Sequence, residues 1–435
     1  DWASFYQTIN ICNTILKFAP TAQANDPTFS EAQLKEYEGQ AIAIRSLMYF
    51  YLVRTFGDVP FIREAYVNGS QQMSVAKSSE KEILAGLVAD LEMVETGNYL
   101  PGQYSSTDIA QNKGRMTMWA VKALLADIYL WQEEYEKCNR KCDEIIGSGQ
   151  LLLVPVESRK IEVENTEEGT TDIYYAPDQS SYYSLFQQIY YQGNSMESIF
   201  ELQFATDNLN PFYSLMSSGR GVIGVKTERV NSDIFPPLAD EAYSGECFDI
   251  RSVISQSKSC LWKYIGVEPN GSERAQEEYT NNFIIYRLAE IYLMKAEALT
   301  QMAILDSDNQ ELLKEAYAAV KVIRDRSTAV ATTDIGQTEG SYSGKAMEEF
   351  VLAERGRELI FEGKRWFDVL RQAKRNNYDG ENLNYLMTLA EYSAPASKVN
   401  SLKAKYRNYH SHYLPIYSEE IDANPLLEQN EFYAN

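Results

Sequence analysis

Apolar residues recur at helical spacing along much of this chain, and the stripes come in pairs. Ile44, Leu47, Met48, Tyr51 and Leu52 make one stripe, which Gly57 and Pro60 then stop. Ala120, Leu124, Ile128 and Trp131 make another, answered after a polar turn at 132–134 by Tyr135, Cys138, Cys142 and Ile145. A third pair sets Ile285, Leu288, Tyr292, Ala296 and Leu299 against Leu313, Ala316, Val320 and Ile323. Small Ala residues let the two helices of a pair approach closely, and Tyr and Leu fill the gaps between turns. The pattern predicts a mostly α fold in which tetratricopeptide-like helix pairs form a scaffold. The pairs are degenerate and far apart, so the array is interrupted, and unrelated helical hairpins in a bundle would give the same stripes.

Residues 1–149 thus read as an N-terminal helical part and 281–375 as C-terminal helix pairs. Residues 150–280 differ. They are rich in Tyr, Ser, Gly, Asn and Pro, with strand-like runs such as SIFELQF and CLWKYIGV. A large irregular loop region with few short strands is expected there, and loops this long tend to carry function. Residues 376–435 hold turn signals such as Asn424-Pro425 and read as an irregular closing segment.

The 435 residues carry 40 Lys+Arg against 62 Asp+Glu, a net charge of −22. That balance argues against a nucleic-acid partner, which requires clustered Lys and Arg. The five Cys show no disulfide-framework spacing, and Cys138 and Cys142 suit packing within a helix better than metal. Only two His occur, His410 and His412, with no third ligand recognisable nearby. Asp306-Ser307-Asp308-Asn309 hints at a calcium loop but lacks the Gly and the terminal Glu such a loop needs. Nucleotide, dinucleotide and hydrolase-elbow motifs are absent, and neither a metal nor a cofactor is expected. Nothing resembles a transmembrane span or a signal peptide.

One acidic cluster invites a catalytic reading. The run AERGRELIFEGKRWFDVLR, residues 353–371, offers Glu354, Glu358, Glu362 and Asp368, and paired carboxylates can hydrolyse glycosides. Arg355, Arg357, Lys364 and Arg365 lie within helical reach of them. A carboxylate paired with Arg has its pKa lowered, whereas a general acid needs it raised. Structural ion pairing is the preferred reading.

The same run resembles the signature helix of the SusD/RagB family of outer-membrane nutrient-binding lipoproteins. Four further stretches agree, in the family's order: WASFYQTINICN, EGQAIAIRSLMYFYLVRTFGDVPFI, NNFIIYRLAEIYLMKAEAL and YLPIYSEEIDANPLLEQNEFY. Together they span Trp2 to Tyr433. Tyr417 stands where the family usually has the second Pro of P-I-P, and Glu431 and Phe432 replace its usual Pro-Gly. The family also has a signal peptide, a lipidated Cys and a further stretch before the Trp2 helix, so the chain reads as N-terminally truncated. The resemblance implies a lipid-anchored protein exposed at the outer-membrane surface. It would bind oligosaccharide or polysaccharide and deliver it to a SusC-like TonB-dependent transporter, without catalytic carboxylates.

A carbohydrate site needs flat apolar faces together with donors and acceptors for hydroxyls. The chain holds 31 Tyr against 17 Phe and 5 Trp. Tyr174, Tyr175, Tyr182 and Tyr183 stand in adjacent pairs, of which one member at most can face a given ligand on an extended chain. Asn208, Asn210, Phe212, Tyr213, Arg220 and the strand-like Trp262 complete the candidates. Trp119, Trp131 and Trp366 fall on scaffold helices and are assigned to the core. Other readings of the chain are a relative with peptide cargo, a glycoside hydrolase using Glu354, Glu358 or Glu362, and an intracellular tetratricopeptide adaptor.

Overall fold

The computed structural model describes residues 2–69, 71–165, 169–178, 184–217, 223–225, 229–238, 245–255, 261–266, 272–336, 342–378 and 383–434. By contact density the chain forms two units, each assembled from segments distant in sequence. The first takes residues 1–106, 115–133 and 369–435, the second 107–114 and 134–368. Among the described residues no helix is long and apolar enough to cross a membrane.

The first unit is built on α1 (Trp2–Asn25), α2 (Glu31–Phe56), α3 (Glu80–Thr96) and, after a short α4 (Ile109–Gly114) that belongs to the second unit, α5 (Met118–Trp131). Local chemistry sets their ends. Ser30 and Gln33 form a reciprocal capping box at the start of α2, and Ser79 and Thr117 cap α3 and α5. Gly57 ends α2 at φ +75°, a conformation that strains other residues, and its N–H bonds back to Val53 at 2.9 Å. The stripe predicted on α2 is observed in part: Leu47 and Leu52 are buried, Ile44, Met48 and Tyr51 are half-buried, and Tyr49, Phe50 and Val53 carry the buried face instead.

One face of α1 grips the extended stretch that follows Gly57. The Tyr6 hydroxyl donates to the Pro60 carbonyl at 2.8 Å. Asn13 donates to the carbonyls of Ile62 and Glu64, both at 3.2 Å. Asn10 takes both main-chain groups of Tyr66, donating to its carbonyl at 3.0 Å and accepting from its N–H at 2.7 Å. Tyr49 on α2 does the same for Ile62. Positions 6, 10 and 13 share one helical face, so their side chains act as a substitute strand edge and satisfy backbone groups that would otherwise be orphaned. Arg45 locks this arrangement, donating to Asn13 at 2.8 Å while pairing with Asp90 at 2.8 Å.

The second unit contains α6 (Tyr135–Ile146), α7 (Leu288–Leu305), α8 (Gln310–Arg326) and α9 (Gly344–Glu358). α7 packs on α6, α8 and α9, around a core that includes Ala289, Leu293, Leu299, Leu313, Val320, Met347 and Phe350. The 306–309 turn joins α7 to α8, and the Asn309 side chain caps α8 by accepting from Glu311 and Leu312. That fixes its acidic residues as turn chemistry. The helix expected from Ile285 begins only at Leu288. Residues Phe283–Arg287 are instead strand β4, paired with β3 (Ser198–Leu202). A short, largely buried run such as FIIYR has no period of its own, and pairing decided its form. A separate hairpin joins β1 (Ser158–Asn165) to β2 (Thr170–Pro177).

α10 (Arg365–Arg375) follows, and the closing stretch carries more helix than its turn signals suggest: α11 (Leu383–Ser393), α12 (Val399–Tyr406) and α13 (Ser418–Ala423). Cys12, Cys138 and Cys142 are buried on helices, and Trp131 is buried while Trp119 and Trp366 are half-buried. Asn13→Ala should unseat both the extended stretch and Arg45. The expected loss is about 2 kcal/mol, seen as a fall of several degrees in Tm, while Ile11→Ala on the exposed side of α1 leaves Tm unchanged.

Candidate functional site

The acidic run is a buried ion-pair lattice. Glu354 and Glu358 lie one turn apart at the end of α9, and Glu362 follows in the next turn. Their exposures are 0 %, 3 % and 4 %. Arg287, at the end of β4, donates to Glu358 at 2.6 Å, Glu362 at 2.7 Å and Glu197 at 2.9 Å. Arg326 reaches Glu358 at 2.5 Å and Glu197 at 3.1 Å. Arg251 holds Asp249 and Glu354, each at 2.6 Å, while Arg324 and Arg357 each hold Glu354 at 2.9 Å. Lys263 lies 2.8 Å from Glu362, and Arg355 lies 2.7 Å from Asp368.

Electrostatics follow from this packing. Burial pushes the Glu354 carboxyl up, but Arg251, Arg357 and Arg324 outweigh it and bring the pKa down to about 2. Glu362 is likewise lowered to about 2, burial being overcome by Arg287 and Lys263. Glu358 is held well below the usual range against burial by Arg326, Arg287 and Arg251. These carboxylates are sealed, charged and held by cations. A general acid needs a raised pKa and access to substrate, and they have neither.

The aromatic candidates divide between two places in the second unit. On the hairpin, Tyr174 opposes Ile161 and Tyr175 opposes Lys160. Tyr174 and Ile161 lean on Ala176, Leu238, Cys247 and Val330. Tyr175 points the other way, 55 % exposed, beside Ile173 at 50 %. Their cross-strand partners Lys160 and Glu162 pair at 2.5 Å on that same outer face. Strand alternation thus separates the two rings as the sequence predicts.

Phe212 and Tyr213 sit elsewhere. Phe212 meets Phe283 edge-on at 5.0 Å, Tyr213 lies 5.4 Å from Tyr279, and both close over Met216, Leu261, Tyr264 and Ile265 while staying half-buried. Asn210 is buried and engaged with the main chain, donating to Asn281 O at 2.8 Å and accepting from Phe212 N at 3.0 Å. Asn208 is exposed in a turn bridged to Ala205. Tyr182, Tyr183 and Arg220 lie outside the described residues. Trp262 begins one turn of helix, Trp262–Ile265, where strand was expected; this apolar run is too short for its period to separate the two.

Sequence reasoning missed one pairing. The Arg274 guanidinium lies 3.9 Å from the centre of the half-buried Tyr191 ring. Gly266 sits so close to that ring that a Cβ there would be 3.2 Å from it. Tyr191 stood in the Tyr-rich run, but Arg274 shares no motif with it and no spacing could have joined them. His412 is buried, its Nε2 bonded to the Tyr406 carbonyl at 2.8 Å, and His410 pairs with Glu431 at 3.1 Å. Among the described residues no group of His, Cys, Asp and Glu could hold a metal ion. The described candidates offer an exposed ring at Tyr175, beside Lys160 and Glu162, and a half-buried ring at Tyr213, while Arg274 covers one face of Tyr191.

Two family models match the chain: the SusD family over residues 255–433, and the family described as starch-binding associating with outer membrane over residues 1–130. SusD-like protein P25 of Formosa agariphila is 24% identical over 458 residues, covering 99% of this chain and 78% of the relative. SusD-like protein P2 of the same organism is 24% identical over 397 residues, covering 88% of this chain and 73% of the relative. Among solved structures, a SusD-like protein from Bacteroides fragilis superposes with a TM-score of 0.67 at 19% identity, over 99% of this chain and 85% of that one. A SusD-like carbohydrate binding protein from the same species gives 0.66 at 18% identity, over 98% and 85%.

Stability should depend on pH through the ion-pair lattice. In the unfolded chain the Glu carboxyls titrate near 4.5, and in the fold Glu354 and Glu362 titrate near 2. Their contribution is therefore complete above about 4.5 and is lost as pH falls toward 2. Urea unfolding followed by circular dichroism from pH 7 to 2 should show a steep fall across that window. Glu358→Gln should cost about 3 kcal/mol at pH 7, because Arg287, Arg326 and Arg251 each lose one buried carboxylate partner.

Proposed function

We propose that this SusD-like protein captures oligosaccharide or polysaccharide at the outer-membrane surface and delivers it to a SusC-like TonB-dependent transporter. The observation that carries the reading is the pairing of family with surface chemistry. Both family models and the fold are those of SusD-like proteins, one structural relative being a carbohydrate binding protein. The loop-rich stretch also exposes a ring, Tyr175, between Ile173 and the Lys160–Glu162 pair on the outer face of the hairpin. A sugar's C–H surface stacks on such a ring while its hydroxyls bond to the rim.

Binding without turnover is the mechanism this supports. Glu354, Glu358 and Glu362 are locked to guanidinium and ammonium groups, so they serve as a rigid floor. The glycan contacts we propose are Tyr175 first, then Tyr191 and Tyr213.

Calorimetry against a panel of host and plant polysaccharides tests the reading. At least one glycan should bind reversibly and without added cation. Tyr175→Ala should weaken that binding about tenfold, or about 1.4 kcal/mol, with Tm unchanged, whereas Tyr174→Ala should lower Tm. Peptide binding with no glycan binding would assign a different cargo. Sugar release abolished by Glu→Gln at 354, 358 or 362 would make the chain an enzyme.

A further inference from the structure

A cavity of about 280 Å³ opens within the first unit, between α1, the 60–75 stretch and the α13 region. Its size suits one small molecule rather than an oligosaccharide. Trp2, Tyr6, Ile9, Ile62, Met73 and Leu427 supply apolar walls.

Its polar lining is committed elsewhere. Tyr6 donates to Pro60, Asn10 is bonded at both ends to Tyr66, and Asn13 is held between Ile62, Glu64 and Arg45. The Tyr66 hydroxyl donates to the Gln72 carbonyl at 2.8 Å. Asn424 donates to the Val75 carbonyl at 2.8 Å and accepts from Leu426 N at 3.1 Å. What remains, besides the indole N–H of Trp2, is the half-buried carboxylate of Glu420, which among the described residues has neither a hydrogen-bond donor nor a cation. Burial, then Tyr49 and Glu420, keep the Tyr6 hydroxyl protonated.

This chemistry selects a ligand. A neutral sugar would find few uncommitted donors or acceptors, and an anion would be repelled by Glu420. A neutral apolar molecule would bury that carboxylate without a partner, at a cost. An ammonium on an apolar body meets the carboxylate and lies against the Trp2 and Tyr faces. We propose that this cavity is a binding site for a small apolar organic ammonium, independent of the glycan face.

Phenethylammonium chloride, titrated into the full chain by calorimetry, is the probe, with 2-phenylethanol as its neutral counterpart. The ammonium should bind at least tenfold tighter than the alcohol. Glu420→Gln should remove that preference, Glu420→Lys should abolish ammonium binding, and Tm should hold in both. Ligand-induced change in tryptophan emission should vanish in Trp2→Phe. Equal affinity for amine and alcohol, or an unaltered preference in Glu420→Gln, overturns the proposal. So does binding confined to a lysine-containing peptide such as acetyl-Leu-Lys-Leu-amide, which would make the cavity a peptide dock. Glycan titrations of Glu420→Gln should match the unaltered protein, so failure of either reading is seen separately.

Discussion

The second unit depends on an exchange of charge in a place without water. Arg287 is 1 % exposed and bonded to carboxylates from the turn just before β3, the end of α9 and the turn beyond it. Charges removed from water so completely are tolerable only when each meets an opposite charge at hydrogen-bonding distance. The strand pair β3–β4, the end of α8 and the end of α9 must therefore arrive together and in register, because any one missing leaves the others with bare charge. Apolar packing alone could be satisfied by several arrangements of these helices; the lattice admits one.

Such a floor suits a binding protein built from long loops. Loops lose conformational freedom on closing over a ligand, and that cost is smaller when their ends are fixed. Tyr190 shows the connection: its hydroxyl donates to Glu362 at 3.1 Å, and the next residue is Tyr191, whose half-buried ring lies on Arg274. The last anchored group of the lattice and the first half-open ring of the loop face are neighbours in the chain.

What could be read from the sequence follows the range over which each interaction acts. The Gly57 stop and most of the helix stripes are local, and the structure places them close to where the residues suggest. The ion pair of Glu354 was legible in kind, since Arg357 lies within a turn, but Arg355 turned to Asp368, and the partners of Glu358, Arg251, Arg287 and Arg326, came from far along the chain. Alternation separated Tyr174 from Tyr175, while Phe212 and Tyr213, equally aromatic, turned out to lean on Tyr279 and Phe283. Strand β4 and the helical turn at Trp262 were misread because a short buried run takes its form from its partners. The cavity beside Trp2 left no trace, since its character depends on which polar groups are already engaged.

The grip of α1 on the 60–66 stretch has an evolutionary consequence. Tyr6, Asn10, Asn13 and Tyr49 hold main-chain atoms of that stretch, and a main chain is the same whatever side chains it carries. The course of the stretch is therefore specified by the helices, while the identities of Phe61, Arg63 and Glu64 are left open by these bonds. Mutation can alter what this part of the surface presents without moving it, which leaves a fixed rail on which new specificities can be tried.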